Sequence, residues 1–185
     1  LSTGLAKAID GEIISADSKQ LYQYMDIGTA KIKPEELNGI RHYLIDNHMP
    51  DEPFNVVVFQ QEAKEAMEDI WSRNKIPILV GGTGFYIQAV LNDIDFDANN
   101  DDMTYRHSLE ALALEKGSAF LHEMLIAVDP EAAAQIHFNN VKKVIRALEF
   151  YHQTGKKISE HNAEQRQNTS PYNFAYFVLN HDRAI

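Results

Sequence analysis

Apolar positions along the chain switch between a helical and a strand-like rhythm. Leu1, Leu5, Ala6 and Ile9 recur at helical spacing, and Asp10-Gly11 closes that helix in a turn. No capping residue precedes Leu1, so the helix reads as entered part-way, with more chain expected upstream. Residues 12–16 form a short apolar run suited to a buried strand and end at Asp17. Residues 40–45 are a second candidate strand, followed by a loop marked by Pro50, Asp51 and Pro53. Asn55 is placed to cap the next helix, in which Val58, Phe59, Ala63, Ala66, Met67, Ile70 and Trp71 share one face. Ile76–Val80 is the clearest strand, running straight into Gly81-Gly82-Thr83-Gly84 before a helix resumes over 85–90. Strands apolar on both faces, alternating with amphipathic helices, predict an α/β fold with a parallel sheet covered on both sides.

The rhythm changes at the polar stretch Asn99-Asn100-Asp101-Asp102, which reads as a linker. Beyond it the pattern is helical as far as about residue 167. The spacing predicts helices over 103–115 and 118–128, a third opened by Asp129-Pro130, and a fourth opened by Asn140 and closed before Gly155. After Pro171 the run 174–179 looks like a strand again. The expected organisation is therefore an α/β core over 1–100, continued by 171–185, with an all-helical insertion over 101–170.

Composition narrows the class without naming it. Among 185 residues, 44% are hydrophobic and 24% charged, as in ordinary globular proteins. There is no cysteine, which removes disulfides, thiolate metal sites and a cysteine nucleophile and fits a cytoplasmic protein. No apolar run reaches the roughly 18 residues of a membrane span, and a monomer is expected. The net charge of −10 argues against a phosphate-rich partner, although a global sum can conceal a basic face.

Three groups of residues are candidates for chemistry. Gly81, Gly82 and Thr83 follow a strand and open a helix, where backbone N–H groups and the helix dipole suit an anion; a tight turn with no ligand fits the same residues. Asp17 ends the first strand, followed by Ser18, Lys19 and Gln20. A carboxylate there reads first as a helix cap, with general base and metal ligand as the alternatives, and Ser18 and Gln20 suit either a base edge or the backbone. Lys142, Lys143 and Arg146 are three and four apart, so one helix face presents all three, either to phosphate or simply to water. Arg106, near the start of the insertion, has no meaning alone. The eight histidines show no metal-ligand spacing.

Taken in order, these segments resemble the tRNA dimethylallyltransferase (tRNA isopentenyltransferase) family. The resemblance rests on Gly11-Glu12-Ile13-Ile14-Ser15-Ala16-Asp17-Ser18-Lys19-Gln20-Leu21-Tyr22 and on Met25-Asp26-Ile27-Gly28-Thr29-Ala30-Lys31. It continues through the segment from His42 to Asp46, Leu79-Val80-Gly81-Gly82-Thr83-Gly84-Phe85-Tyr86, Val128-Asp129-Pro130, Ile136-His137 and Arg146-Ala147-Leu148-Glu149. Each motif is modest; their joint order across essentially the whole chain is specific.

The resemblance implies a P-loop-type α/β core with a helical insertion gripping the tRNA anticodon stem-loop. It implies transfer of the dimethylallyl group from dimethylallyl diphosphate to N6 of the adenosine 3′ of the anticodon. By the same resemblance Asp17 is the general base, and Thr83, with Gly81 and Gly82, sits where diphosphate and base meet. Asp17, Ser18, Lys19, Gln20, Arg106, Lys142, Lys143 and Arg146 fall at tRNA-contacting positions. Mg²⁺ is the implied cofactor, its ligand and the phosphate-binding loop being expected upstream of Leu1, and further basic residues are expected after Ile185. These 185 residues alone are expected to bind diphosphate poorly. Two competing readings are a P-loop kinase or isopentenyl transferase acting on free adenine nucleotides, and a non-catalytic RNA-binding module.

Overall fold

The computed structural model describes residues 1–96 and 103–180; the expected linker at 99–102 lies outside them. The chain divides into two compact units, Leu1–Ile94 with Ser170–Ile185, and Asp95–Thr169.

The first unit is built on a parallel three-stranded sheet of order β2-β1-β3, with β1 Gly11–Ser15, β2 His42–Tyr43 and β3 Ile76–Val80. Helix α1 (Ser2–Ile9) precedes β1, α2 (Val56–Ser72) links β2 to β3, and α3 (Gly84–Leu91) follows β3. Asn55 caps α2 as its type and position predict, accepting from Val57 N–H at 2.9 Å and Val58 N–H at 3.1 Å. β1 is buried along its whole length. Ile14 joins Phe59, Ala63, Met67 and Ile70 of α2 in the core. Side chains alternate along a strand, so Ile13 turns to the opposite face; α1 also packs on β1 and β3.

Two expected strands come out differently. The second shrinks from 40–45 to two residues, because Leu44 and Asp46 take left-handed φ values of 59° and 55° and turn the chain out of the extended form. The run 174–179 forms no strand at all. Ser170 Oγ donates to Leu91 O and Tyr172 packs on the core and beside Trp71. Beyond that anchor, Phe177, Val178 and Leu179 stand about three-quarters exposed, at 76%, 74% and 74%. A strand exists only through a ladder of hydrogen bonds, and no described strand lies beside this run to provide one.

Towards the amino ends of the strands a charge network centred on buried Glu12 ties the sheet to α2. Glu12 of β1 accepts from Arg73 Nη2 at 2.7 Å and from Tyr43 Oη at 3.1 Å. Arg73 Nη1 also reaches Asp69 at 2.6 Å. Burial favours the neutral acid, but the bonds from Tyr43, Arg73 and Lys75 outweigh it and hold the Glu12 carboxyl below its ordinary value. Burial and the Asp69 carboxylate push Tyr43 up to about 12.

The second unit is all-helical: α4 Thr104–Lys116, α5 Ser118–Val128, α6 Pro130–Gln135, α7 Val141–Thr154 and α8 Ile158–Gln167. α5 is central and packs on α4, α6 and α7. Its Leu121 and Leu125 are fully buried with Leu109, Val144 and Leu148. Gly155 takes φ 71° and ends α7 in the left-handed cap expected of it. Asp129 is 1% exposed and does more than cap α6. It accepts from Ala132 N–H at 3.0 Å, Ser159 N–H at 2.9 Å and Ser159 Oγ at 2.7 Å, joining the starts of α6 and α8.

Burial alone raises the Asp129 carboxyl, but these donors dominate and hold it below its usual value. A lowered value means that the carboxylate's contribution is complete above about pH 3.9, the ordinary Asp value, and fades as pH falls through the folded value. Asp129→Ala is expected to cost the helical unit about 2 kcal/mol at neutral pH, the penalty of orphaned buried donors. Unfolding curves at neutral and acid pH check it: the difference between wild type and variant should narrow on acidification.

Candidate active site

The carboxyl ends of β1 and β3 are sewn together by three hydrogen bonds. Ala16 N–H donates to Val80 O at 2.7 Å, and Thr83 N–H donates to Ala16 O at 3.1 Å. Ser18 N–H donates to Thr83 Oγ1 at 3.0 Å. Residues separated by 65 positions therefore meet at one sheet edge, where ligands bind in open α/β folds. The join depends on Gly81, since a Cβ built there would overlap the Ala16 carbonyl. Gly82 differs: a Cβ on it meets nothing within 4 Å, so that side of the turn is open.

Thr83 stands at the N-cap position of α3 without capping it, because its hydroxyl oxygen accepts from Ser18 instead. The hydroxyl proton remains available as a donor. Together with the α3 N-terminus and the open face of Gly82, this is a place for an anion. Of the three roles weighed for Asp17, the helix cap gives way to a turn, because residues 18–22 form no helix. Oδ1 accepts from Lys19 N–H at 2.8 Å and Gln20 N–H at 3.3 Å, whereas Oδ2 has no hydrogen-bond partner among the described residues. One oxygen anchors the carboxylate and the other is left open to a hydrogen-bond donor.

Ser18 is half-buried and Lys19 exposed beside this carboxylate. Gln20 is already engaged. Its Oε1 accepts from Ser15 Oγ at 3.0 Å, and its Nε2 donates to Thr29 O at 3.1 Å and Ala30 O at 3.3 Å. Its amide thus shapes the loop 22–31, and only an acceptor lone pair is left over. Sequence reasoning gave no role to Lys31 or Asp46, which turn out to fasten this loop. The signal was present in the motif Met25-Asp26-Ile27-Gly28-Thr29-Ala30-Lys31, where a lysine shares a short segment with an aspartate. A groove of about 400 Å³ opens elsewhere, along β2 and α2, with Glu62, Glu65 and Asp69 in its wall; none of the candidate site residues lines it.

In the helical unit, Lys142, Lys143 and Arg146 are exposed on one face of α7, opposite buried Val144, Ile145 and Leu148. None has an acidic partner within 4.0 Å among the described residues, so three cations stand together in an acidic chain. Arg106 is held differently. Its Nε and Nη2 grip the carboxylate of buried Glu149 at 2.8 and 2.6 Å, clamping α4 to α7. Among the described residues, no group of three or more His, Asp or Glu side chains is placed to hold a metal ion, and no helix is long and apolar enough to cross a membrane.

The sequence matches the model of the IPP transferase family over residues 20–185. The chain belongs to that family. It is 60% identical, over all 185 residues, to a tRNA dimethylallyltransferase of Lachnoclostridium phytofermentans, and 49% identical to one of Bacillus cereus. The chain spans 59% and 58% of the length of these two relatives. Among solved structures, it is similar to a eukaryotic dimethylallyltransferase acting on tRNA, with a TM-score of 0.80 and 34% identity over 92% of this chain and 42% of that one. It is also similar to the tRNA isopentenylpyrophosphate transferase of Bacillus halodurans, with a TM-score of 0.53 and 48% identity over 84% and 51% of the two chains. The parallel sheet of this member of the family is a P-loop-type core.

Gly81→Ala is expected to destabilise the α/β unit by about 1–3 kcal/mol or more, the range for forcing atoms into a filled site. Gly82→Ala should leave stability nearly unchanged. Thermal unfolding of the two variants side by side checks this.

Proposed function

We propose that the protein transfers the dimethylallyl group of dimethylallyl diphosphate to N6 of the adenosine 3′ of the anticodon in tRNA. What supports this reading is the 3.0 Å bond from Ser18 N–H to Thr83 Oγ1, which brings the residue after Asp17 onto the glycine turn. An exocyclic amine conjugated with a purine is a weak nucleophile. Asp17 Oδ2 accepts a hydrogen bond from that N–H, raising electron density on nitrogen as the bond to the allylic carbon forms. The proton passes to Asp17 as the carbon–oxygen bond breaks, and the electron pair leaves with diphosphate. Thr83 Oγ1–H and the α3 N-terminus stabilise the charge gathering on the leaving group.

The adenine must leave its stack to reach a site recessed at a sheet edge, so the substrate base is read flipped out. Lys142, Lys143 and Arg146 provide phosphate contacts that position the RNA without reading its sequence. Mg²⁺ belongs to this reading as a companion of the diphosphate, whose negative charge it would offset. Among the described residues, no group of three or more His, Asp or Glu side chains is placed to hold it.

The full-length protein should prenylate an anticodon stem-loop and leave AMP unmodified; transfer to AMP alone would instead establish an enzyme of free nucleotides. Asp17→Asn is expected to slow single-turnover transfer about 10²- to 10⁴-fold, the range for a general base, with tRNA affinity retained. Equal loss in both would contradict the role given to Asp17. Lys143→Ala with Arg146→Ala should weaken tRNA binding and flatten the log–log salt dependence by about two, near 0.9 per lost phosphate contact. An unchanged slope would show that this face does not meet phosphate.

A further inference from the structure

The connection from β1 to β2 runs over residues 16–41 with no regular element but a single turn of 3-10 helix at Pro34–Glu36. Irregular connections of this length in compact domains are uncommon and usually functional. Its fastening is Lys31, whose side chain is only 6% exposed. The ammonium has three protons, and each has an acceptor from a different stretch of chain: Tyr22 O at 2.9 Å, Asp26 Oδ1 at 2.7 Å and Asp46 Oδ1 at 2.5 Å. The acceptors outweigh the burial and raise the Lys31 ammonium above its usual value. Burying a cation is a costly way to gain stability, and an apolar replacement often serves as well. What the ion pair supplies here is one definite arrangement of the loop.

That arrangement leads to the reacting carboxylate by hydrogen bonds alone. Asp46, held by Lys31, gives its N–H to Gln20 O at 3.1 Å. Gln20 Nε2 is anchored on Thr29 O and Ala30 O, next to Lys31. Gln20 N–H donates in turn to Asp17 Oδ1. Ala30 sits at φ 51°, a strained value that persists only where its surroundings impose it. The geometry points to Lys31 as a positioning residue for prenyl transfer, setting the orientation of Asp17 through Asp46 and Gln20 while touching no substrate. This inference rests on the function proposed above.

The test is Lys31→Met in the full-length protein, measured by single-turnover transfer to an anticodon stem-loop at saturating dimethylallyl diphosphate, and by amide hydrogen exchange at Lys19 and Gln20. The rate constant per folded molecule should fall by about a hundredfold, the cost of misplacing a reacting group by about 1 Å. RNA affinity should hold, and the Lys19 and Gln20 amides should exchange faster. A wild-type rate constant per folded molecule, with unaltered exchange at those amides, would overturn the inference. So would a fall in rate matched by an equal fall in RNA affinity. If Lys31→Met does not fold, Asp46→Ala removes one partner of the pin and should shift both readouts the same way by less; no shift in either would overturn it. An inactive wild-type protein would refute the function while exchange still decides the pin.

Discussion

The approach of β1 to β3 at their carboxyl ends is the constraint on which the site rests. A glycine at 81 lets the Ala16 carbonyl come within reach of Thr83 N–H, and the Thr83 hydroxyl then reaches Ser18 N–H. Each bond is ordinary in strength, about 1 kcal/mol net, yet together they decide where the carboxylate stands relative to the glycine turn. Parallel pairing makes this possible, because it brings both strand ends out on the same side of the sheet. At the other end, Glu12 of β1, Tyr43 of β2 and Arg73 at the end of α2 form a network that holds β1 and β2 against that helix. The two ends divide the labour between holding the sheet and exposing chemistry.

Much of this was legible in the sequence wherever a local signal determines the outcome. β3 was bounded correctly because five apolar residues stand between Lys75 and Gly81. α5 and α7 were bounded by Gly117, Asp129, Asn140 and Gly155, whose capping chemistry is local. Outcomes that depend on distant partners were not legible. The run 174–179 carries strand composition, but composition does not furnish a neighbour. Leu44 has nothing in its identity that announces a left-handed φ. Arg106 had no meaning alone in the sequence, because its partner Glu149 lies 43 positions away. The convergence of Asp17 with Thr83 was an inference from strand ends, and the order of motifs carried it further than any single residue did.

Charge shows the same separation between sum and place. A chain of net charge −10 reads as a poor partner for a polyanion. Several carboxylates, however, are answered: Asp69, Glu12 and Glu149 by arginine, Asp26 and Asp46 by Lys31. The cations of α7 are unanswered among the described residues, so the field near that helix is set by them over a distance of about 10 Å at ordinary ionic strength. Local pairing, more than total charge, decides what such a surface attracts.

Asp17 shows what tethering one oxygen does. A carboxylate bound at neither oxygen rotates, and an arriving amine would find it in many orientations. With Oδ1 fixed by two backbone donors, the remaining oxygen has a narrow range of directions. The entropy of choosing a direction is then lost when the chain folds, once per protein lifetime, and not again in every catalytic cycle.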